Sequence, residues 1–348
     1  MIRTYAYKDI KIGEIFAREE EKTNVADVVS EIIAEVRKGG DAALKRYAEQ
    51  FDGAAPAVFE VSEAERAAAY AQADAVFLEI LKEAAAHIRA FHEMQKRTDF
   101  VLTEREGVVL GQKIIPLDRV GLYVPGGTAS YPSTVLMDCI PAKIAGVKEV
   151  CMVTPAKDGK LNPDIIAADL LSQAEHDKMA SAVLVTESEA LAQAVTAELE
   201  RQIALLPRAE IARVSIDNNG KIILVKDIAE AIAVSNEIAP EHLEVSVDEP
   251  FRYLADIRHA GSIFLGRNAP EALGDYFAGP NHTLPTSGTA RFSSPLGVDD
   301  FVKRSSFTYY TKEALTAEAE KIGFFARREG LEAHARSALV RKDKGVIQ

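Results

Sequence analysis

Two pairs of polar side chains in this chain have types and spacings that could carry chemistry. Gln173 and His176 stand three residues apart in a segment with helical periodicity, so both side chains can point at a common atom. Imidazole nitrogen suits zinc, and an amide oxygen is an unusual ligand that zinc can accept. In most sequences, however, such a pair is an exposed polar helix face.

The second pair is adjacent in sequence. Glu241 and His242 open the segment PEHLEVSV, which has the pattern of a strand, so an acid and an imidazole stand side by side at a strand terminus. Two such groups in one pocket could serve two separate proton-transfer steps. A chance pair at a loop edge is the competing interpretation.

Further nitrogen and oxygen donors are dispersed over the last third of the chain. Asp275 falls in a long polar stretch rich in Gly, Pro, Ser and Thr, and Glu329 and His334 fall in the tail. A dispersed donor set fits a catalytic metal site assembled by folding better than a contiguous structural zinc finger. The candidate metal ligands are Gln173, His176, Asp275 and His334.

The elements that must position these residues follow from hydrophobic periodicity. Residues 24–100 are predicted to be mostly helical, with a capping box at Ser62 and Glu65. The segment DRVGLYVP predicts a buried strand, followed by a Pro125-Gly126-Gly127 turn, the helix STVLMDCIPAKIAGV and the strand KEVCMVTP, which together make a βαβ unit. Strand and helix patterns then alternate through SAVLVT, KIILV, HLEVSV and GSIFLG, whereas GVVLGQKIIPL predicts a short hairpin.

The predicted fold class is therefore α/β, with incomplete Rossmann-like parallel sheet lobes, an N-terminal helical region and a C-terminal helical tail. The tail cannot bury its apolar face alone and must pack on the body or on a neighbouring subunit. The predicted division is a mostly helical region 1–103, an α/β core 104–266 with a shortened nucleotide-binding lobe at about 119–162, an active-site loop region 267–310 and a helical tail 311–348.

Composition excludes several classes of protein. The chain has 348 residues, 47% of them hydrophobic, and a net charge of −12 without a basic run, so a nucleic-acid partner is not expected. No stretch approaches the roughly 20 apolar residues of a membrane span, and charges interrupt the first sixteen residues where a signal peptide would need an apolar run. Cys139 and Cys151 both lie in apolar segments that suit buried thiols in a reducing compartment. We expect a cytoplasmic protein.

Several long segments of the chain, in this order, closely resemble the histidinol dehydrogenase family. They are RVGLYVPGGTASYPSTVLMDCIPAKIAGV, ADLLSQAEHD, PEHLE, GSIFLG followed by GDYFAGPNHTLPTSG, DDFVKRSSF and EGLEAHARSALVR. The resemblance covers nearly the whole chain. It implies oxidation of L-histidinol to L-histidine through a bound aldehyde, with two NAD and one zinc ion per subunit, at the end of histidine biosynthesis.

Site residues follow from the resemblance position by position. Gln173, His176 and Asp275 match zinc ligands from one subunit, and His334 matches a ligand delivered by the swapped tail of the other subunit in a homodimer. His242 matches the general base of the alcohol oxidation. The remaining matches are Glu241 to the residue that activates water in the aldehyde step, Glu329 to a substrate-contacting carboxylate and Tyr123 to a residue contacting NAD. The implied substrate-contacting set is Gln173, His176, His242, Asp275, Glu329 and His334.

One segment departs from the family pattern. Between KEVCMVTP and the segment with Gln173 and His176, the family has a further α/β stretch of about eighty residues, longer than a loop, that supplies more NAD contacts and a substrate-contacting serine. Here CMVTPAKDGKLNPDIIAADLLSQAEHD runs straight through. The lobe is either lost or omitted from this sequence. Two alternatives therefore stay open beside the dehydrogenase: a zinc- and histidinol-binding derivative lacking a full NAD site, and a sister dehydrogenase of another small amino- or sulfo-alcohol.

Overall fold

The computed structural model describes residues 2–10, 25–124, 131–153 and 180–344. The predicted Pro125-Gly126-Gly127 turn and the pair Gln173 and His176 lie outside the described residues.

The chain alternates helices and strands from its α/β core onward. The helices are α1 (Val25–Gly39), α2 (Asp41–Asp52), α3 (Glu63–Gln72), α4 (Ala75–Glu93), α5 (Pro132–Ala145), α6 (Glu189–Ile203), α7 (Ala209–Asn218), α8 (Ile228–Ile238), α9 (Glu271–Tyr276), α10 (Lys312–Arg328) and α11 (Glu332–Lys344). The strands are β1 (Arg3–Ala6), β2 (Phe100–Leu102), β3 (Val108–Pro116), β4 (Arg119–Tyr123), β5 (Glu149–Val153), β6 (Val183–Thr186), β7 (Lys221–Leu224), β8 (His242–Val245), β9 (Ser262–Leu265) and β10 (Val302–Tyr310). None of these helices is long and apolar enough to cross a membrane.

The α/β fold class is confirmed, with its parallel strands distributed over small sheets. The predicted βαβ unit forms as β4, α5 and β5, and β4 and β5 pair in parallel. Leu122 of β4 packs with Ala142 of α5 and with Phe301 in one buried cluster. A second parallel sheet has the order β1-β7-β6 and buries Ile223 beneath α8.

Strand β1 and helix α7 are among the elements that were not anticipated from the sequence. Strand β1 lies at the amino terminus, where only four residues pair with β7, and helix α7 precedes β7. Both are short, so neither shows enough periods of a hydrophobic pattern to be distinguished from a loop.

The predicted hairpin at GVVLGQKIIPL is wrong. These residues form the single strand β3, which lies between β2 and β10 in an antiparallel sheet. Gly111 does not turn the chain, since it sits under the ring of Phe307 on β10: a Cβ at Gly111 would lie 2.2 Å from that ring. This glycine allows a close approach between strands rather than a turn.

The helical N-terminal region is confirmed from α1 to α4. Ser62 and Glu65 form the predicted capping box, with the Ser62 backbone N–H donating to Glu65 Oε2 at 2.8 Å. The following Ala-rich segment breaks at Asp74, which caps α4 by accepting from the Phe77 N–H at 2.7 Å. Helix α4 then packs on α5 through Ile88 and Met137, so the N-terminal region is joined to the core.

Residues 267–310 contain more regular structure than their composition suggests. Helix α9 and strand β10 both lie within the range expected to be a loop region. Asp275, expected in a loop, is on α9. The predicted helical tail is present as α10 and α11, and it breaks at Gly330, whose φ of +77° favours glycine.

Burial of the two cysteines differs from expectation. Cys139 on α5 is half-buried, and its surroundings raise the pKa of its thiol, mainly through desolvation. Cys151 on β5 is exposed, although its apolar flanks predicted burial. In the described residues β5 pairs with β4 alone, so its outer side is not covered by a further strand of that sheet.

Candidate metal and proton-transfer site

The parallel pair β8 and β9 places Glu241 and His242. His242 is the first residue of β8 and is in register with Ser262 of β9. The Ser262 N–H donates to the Glu241 carbonyl at 2.8 Å, and a Cβ at Gly261 would lie 2.5 Å from that carbonyl oxygen. Glycine at 261 therefore lets β9 approach closely enough to fix the backbone of the Glu241-His242 pair.

Helix α9 lies across this strand pair and carries two carboxylates toward it. Its first N–H, at Glu271, donates to Glu244 Oε1 of β8 at 2.9 Å, so a strand side chain caps the helix. Gly274 rests on the Phe264 ring of β9, where a Cβ would lie 2.5 Å from a ring carbon. These two contacts fix the rotation and height of α9 over His242.

Two histidines fix the carboxyl end of α9. His282 Nδ1 lies 3.0 Å from the Asp275 carbonyl, and His87 Nδ1 lies 2.8 Å from the Phe277 carbonyl. A carbonyl only accepts, so each Nδ1 donates. Nε2 of a neutral His282 can then accept from Thr134 Oγ1 of α5 at 3.3 Å, which connects the βαβ unit to the helix that bears Asp275.

Three side chains meet at the centre of this arrangement. Glu271 Oε1 lies 3.6 Å from His242 Nδ1, and Asp275 Oδ1 lies 3.5 Å from His242 Nε2. The two acids are four residues apart and so share one face of α9. Their side chains are 14% and 16% exposed, and that of His242 is 12% exposed. Their ligand atoms lie within 4.8 Å of one another and could hold a metal ion.

Opposing effects act on the His242 imidazole. Burial lowers its pKa, but the neighbouring Asp275 carboxylate and the charges of Glu271 and Glu241 outweigh burial, so the pKa of His242 lies above its ordinary value. The Nε2 atom is buried and has no hydrogen-bond partner among the described residues. A buried nitrogen of this kind, facing a carboxylate, fits a site that receives a ligand or a proton.

The structure brings together some of the residues predicted from the sequence. His242 and Asp275 are in contact, and Glu241 adjoins them at the start of β8. Glu329 and His334 are exposed on the tail, and His334 is not part of the metal-binding cluster within one chain. Tyr123 lies at the carboxyl end of β4 with an exposed side chain.

Glu271 is the site residue that the sequence analysis missed. Its signal was its spacing from Asp275, since two acids four residues apart share a helix face. Helix α9 has only six residues, however, and the surrounding Gly- and Pro-rich segment has no lasting periodicity. A helix this short is predicted as a loop, because hydrophobic periodicity must extend over more residues to indicate a helix.

Fold and site together define an α/β protein with a partly buried histidine and two carboxylates, suited to binding a divalent metal and moving protons. The chain belongs to the histidinol dehydrogenase family, whose model matches residues 16–168 and 157–342.

Individual relatives agree with this assignment. Histidinol dehydrogenase from Geobacillus kaustophilus is 45% identical over 407 positions, covering 94% of this chain and 95% of that protein. The protein of the same name from Syntrophotalea carbinolica is 42% identical and covers 98% of this chain and 99% of that protein. The crystal structure of histidinol dehydrogenase from Elizabethkingia anophelis superimposes with a TM-score of 0.90 at 29% identity, covering 98% of each chain.

The comparisons also locate the internal gap. Residues 157–168 belong to both matched segments of the family model, so the match breaks within them. In the Geobacillus alignment, 94% of the 348 residues is about 327, so about 80 of the 407 positions have no counterpart in this chain. The sequence analysis expected a gap of this size at this place.

Proposed function

We propose that this chain oxidises L-histidinol to L-histidine through histidinal, using two NAD. The observation that carries the proposal is the His242, Glu271 and Asp275 cluster in a chain of this family. The reported relatives are named histidinol dehydrogenase, which does not favour a sister dehydrogenase of another amino- or sulfo-alcohol.

Zinc is the proposed metal, with one ion per subunit. The fit rests on the chemistry of the proposed donors, two imidazoles, an amide and a carboxylate, of which the Asp275 carboxylate is partly buried beside the proposed base His242. Zinc would orient and polarise the substrate when bound. The proposed ligands are Gln173, His176 and Asp275 of one chain and His334 of the partner subunit.

NAD is the proposed hydride acceptor. Open α/β sheets bind ligands outside the carboxyl ends of their strands, and Tyr123 stands at that end of β4 with 62% of its surface exposed. The lobe that would supply further contacts lacks about 80 aligned positions, so we propose that Tyr123 provides a larger share of NAD binding than usual.

Proton transfers are assigned to the adjacent pair at the start of β8. His242 takes the proton of the alcohol hydroxyl at Nε2 while the carbon that bears this hydroxyl gives up a hydride. Glu241 then takes a proton from the water that attacks the aldehyde carbon. An imidazole can act as such a base, and His242 is the first residue of β8, in register with Ser262 of β9.

A homodimer with an exchanged tail is the proposed assembly. Phe324 and Phe325 of α10 are 64% and 68% exposed in the single chain, although α10 packs on α11. Two adjacent exposed aromatic side chains on one helix are consistent with an interface that a second subunit would cover. The tail also carries Glu329 and His334, so its docking on a second subunit would bring both to that subunit's site. A cytoplasmic location completes the proposal, since both cysteines are free thiols.

An NADH assay on mass-verified chain tests the function. Zinc-loaded protein should produce two NADH for each L-histidinol consumed, and His242→Gln should lower the rate by about 100-fold or more. His259→Gln, outside the cluster, is the matched control and should keep the activity. Binding of histidinol without NADH formation would instead identify a zinc- and histidinol-binding derivative.

A further inference from the structure

The Nδ1 side of His242 faces a carboxylate that none of the proposed roles uses. Glu271 Oε1 lies 3.6 Å from this nitrogen, and both side chains are largely buried. Asp275 faces the opposite nitrogen, Nε2, at 3.5 Å. One short helix therefore presents a negative charge to each side of one imidazole ring.

The position of Glu271 is set by contacts independent of His242. Its backbone N–H donates to Glu244 Oε1, and Glu244 is two residues from His242 on the same strand. Gly274, one turn further along α9, sits directly on Phe264, whose ring lies 6.0 Å from that of His242. The strand that carries the imidazole thus also anchors the helix that carries the carboxylate.

A neutral imidazole has one nitrogen that carries a proton and one that accepts. A carboxylate beside Nδ1 stabilises the proton there, which leaves Nε2 as the acceptor. The same carboxylate stabilises the positive charge that forms once Nε2 has gained a proton, because two opposite charges in a poorly solvated site attract strongly.

We propose that Glu271 is a positioning residue for His242: it orients the imidazole, holds the proton on Nδ1 and leaves Nε2 free to take the substrate's proton. The inference rests on the proposed function, in which Asp275 is committed to the metal. Of the two carboxylates on α9, Glu271 is then the one that acts on the His242 ring.

Nitrogen-15 NMR of the histidine rings tests the electrostatic part without metal, cofactor or turnover. The metal-free protein is labelled at histidine, and the His242 signals are assigned with His242→Gln. Glu271→Gln keeps the side-chain shape and removes the charge, so it should move the neutral ring toward the form protonated at Nε2, beside Asp275. Asp275→Asn should shift the ring in the opposite direction. Unchanged His242 signals in folded Glu271→Gln would overturn the proposal.

Kinetics of the zinc-loaded protein test its consequence. Glu271→Gln should lower kcat by about 10- to 100-fold, the usual effect of removing a residue that orients a catalytic group, while the KM for histidinol and the zinc content stay near wild type. Glu271→Asp keeps the charge at a slightly greater distance and should recover part of kcat. Glu249→Gln removes an exposed carboxylate away from the cluster and serves as the charge-matched control.

The outcomes separate this inference from the proposed function. An inactive wild type would overturn the function, whereas the NMR result would still decide whether Glu271 controls the ring. Loss of zinc in Glu271→Gln would make Glu271 a metal ligand and overturn its positioning role. An active wild type with an equally active Glu271→Gln would overturn that role as well.

Discussion

Asp275 Oδ1 lies 3.5 Å from His242 Nε2, although the two residues belong to different elements and are separated by an intervening strand. The proposed metal ligand and the proposed base are therefore neighbours. A substrate hydroxyl held at this metal would lie beside the nitrogen that takes its proton. Changes at either residue are expected to affect both binding and proton transfer.

The first prediction concerns the metal. His176→Ala should abolish stoichiometric zinc binding and activity together, and Asp275→Ala should do the same because it removes a carboxylate from the cluster. Elemental analysis of the purified variants measures the zinc. Full occupancy in either variant would exclude that residue as a ligand.

The second prediction concerns the exchanged tail. A His176→Ala chain mixed with a His334→Ala chain should form heterodimers in which one site has all its ligands and the other lacks two. Activity should rise above that of either parent as subunits exchange, measured by NADH formation. If exchange is demonstrated by mass and activity stays at the parental level, the tail acts within its own chain.

The third prediction concerns pH and stability. Burial raises the pKa of Asp138 on α5, and the hydrogen bond from Thr283 Oγ1 offsets this only in part. The folded state therefore binds this proton more tightly than the unfolded state. The resulting stabilisation is complete below the unfolded pKa and is lost as pH rises through the folded pKa.

Asp138→Asn carries no charge at any pH and can still accept from Thr283. Its free energy of unfolding relative to wild type should therefore increase as pH rises from the acid range to neutrality. Denaturant unfolding of metal-free protein across that range measures the difference. A difference that does not depend on pH would contradict the prediction.

The fourth prediction concerns the contact between α9 and β9. Gly274→Ala places a methyl group against Phe264 and should lower the free energy of unfolding by about 1–3 kcal/mol, the usual range for overpacking. It should also reduce activity, since α9 carries Glu271 and Asp275. Gly121→Ala enters open space and is the control for stability. Equal stability of the two variants would show that α9 can move without penalty.

The fifth prediction concerns NAD. The chain lacks about 80 positions of its Geobacillus relative, and the expected loss is in cofactor contacts. We expect a raised KM for NAD with zinc content unaffected, and a further increase in Tyr123→Ala. Calorimetry with NAD and with histidinol measures each affinity separately. Ordinary NAD affinity would show that the remaining βαβ unit suffices.

Much of the fold could be predicted from local patterns. Consecutive residues encode the βαβ unit, the capping box at Ser62 and the helical tail with its break at Gly330. Such features depend on the periodicity and capping of one segment, so tertiary contacts need not be known. The resemblance likewise predicted Asp275 and His242 as candidate site residues without their geometry.

Other features depended on contacts between distant segments. Gly111 lies in a strand that packs closely under the ring of Phe307. Helix α9 forms where Glu244 accepts a hydrogen bond from its first N–H and where Phe264 packs against Gly274. A helix of six residues is not stable in isolation, because helix nucleation is unfavourable and so short a helix forms few internal hydrogen bonds to offset it.

The sequence by itself determined the family, the α/β class and most of the candidate site residues. Tertiary structure alone decided that Glu271 faces Nδ1 and Asp275 faces Nε2 of His242. Spacing along the chain shows that the two acids share a helix face. The partner that this face meets is set by how the helix packs on β8 and β9, because packing between distant segments depends on side-chain shape and burial across the whole core.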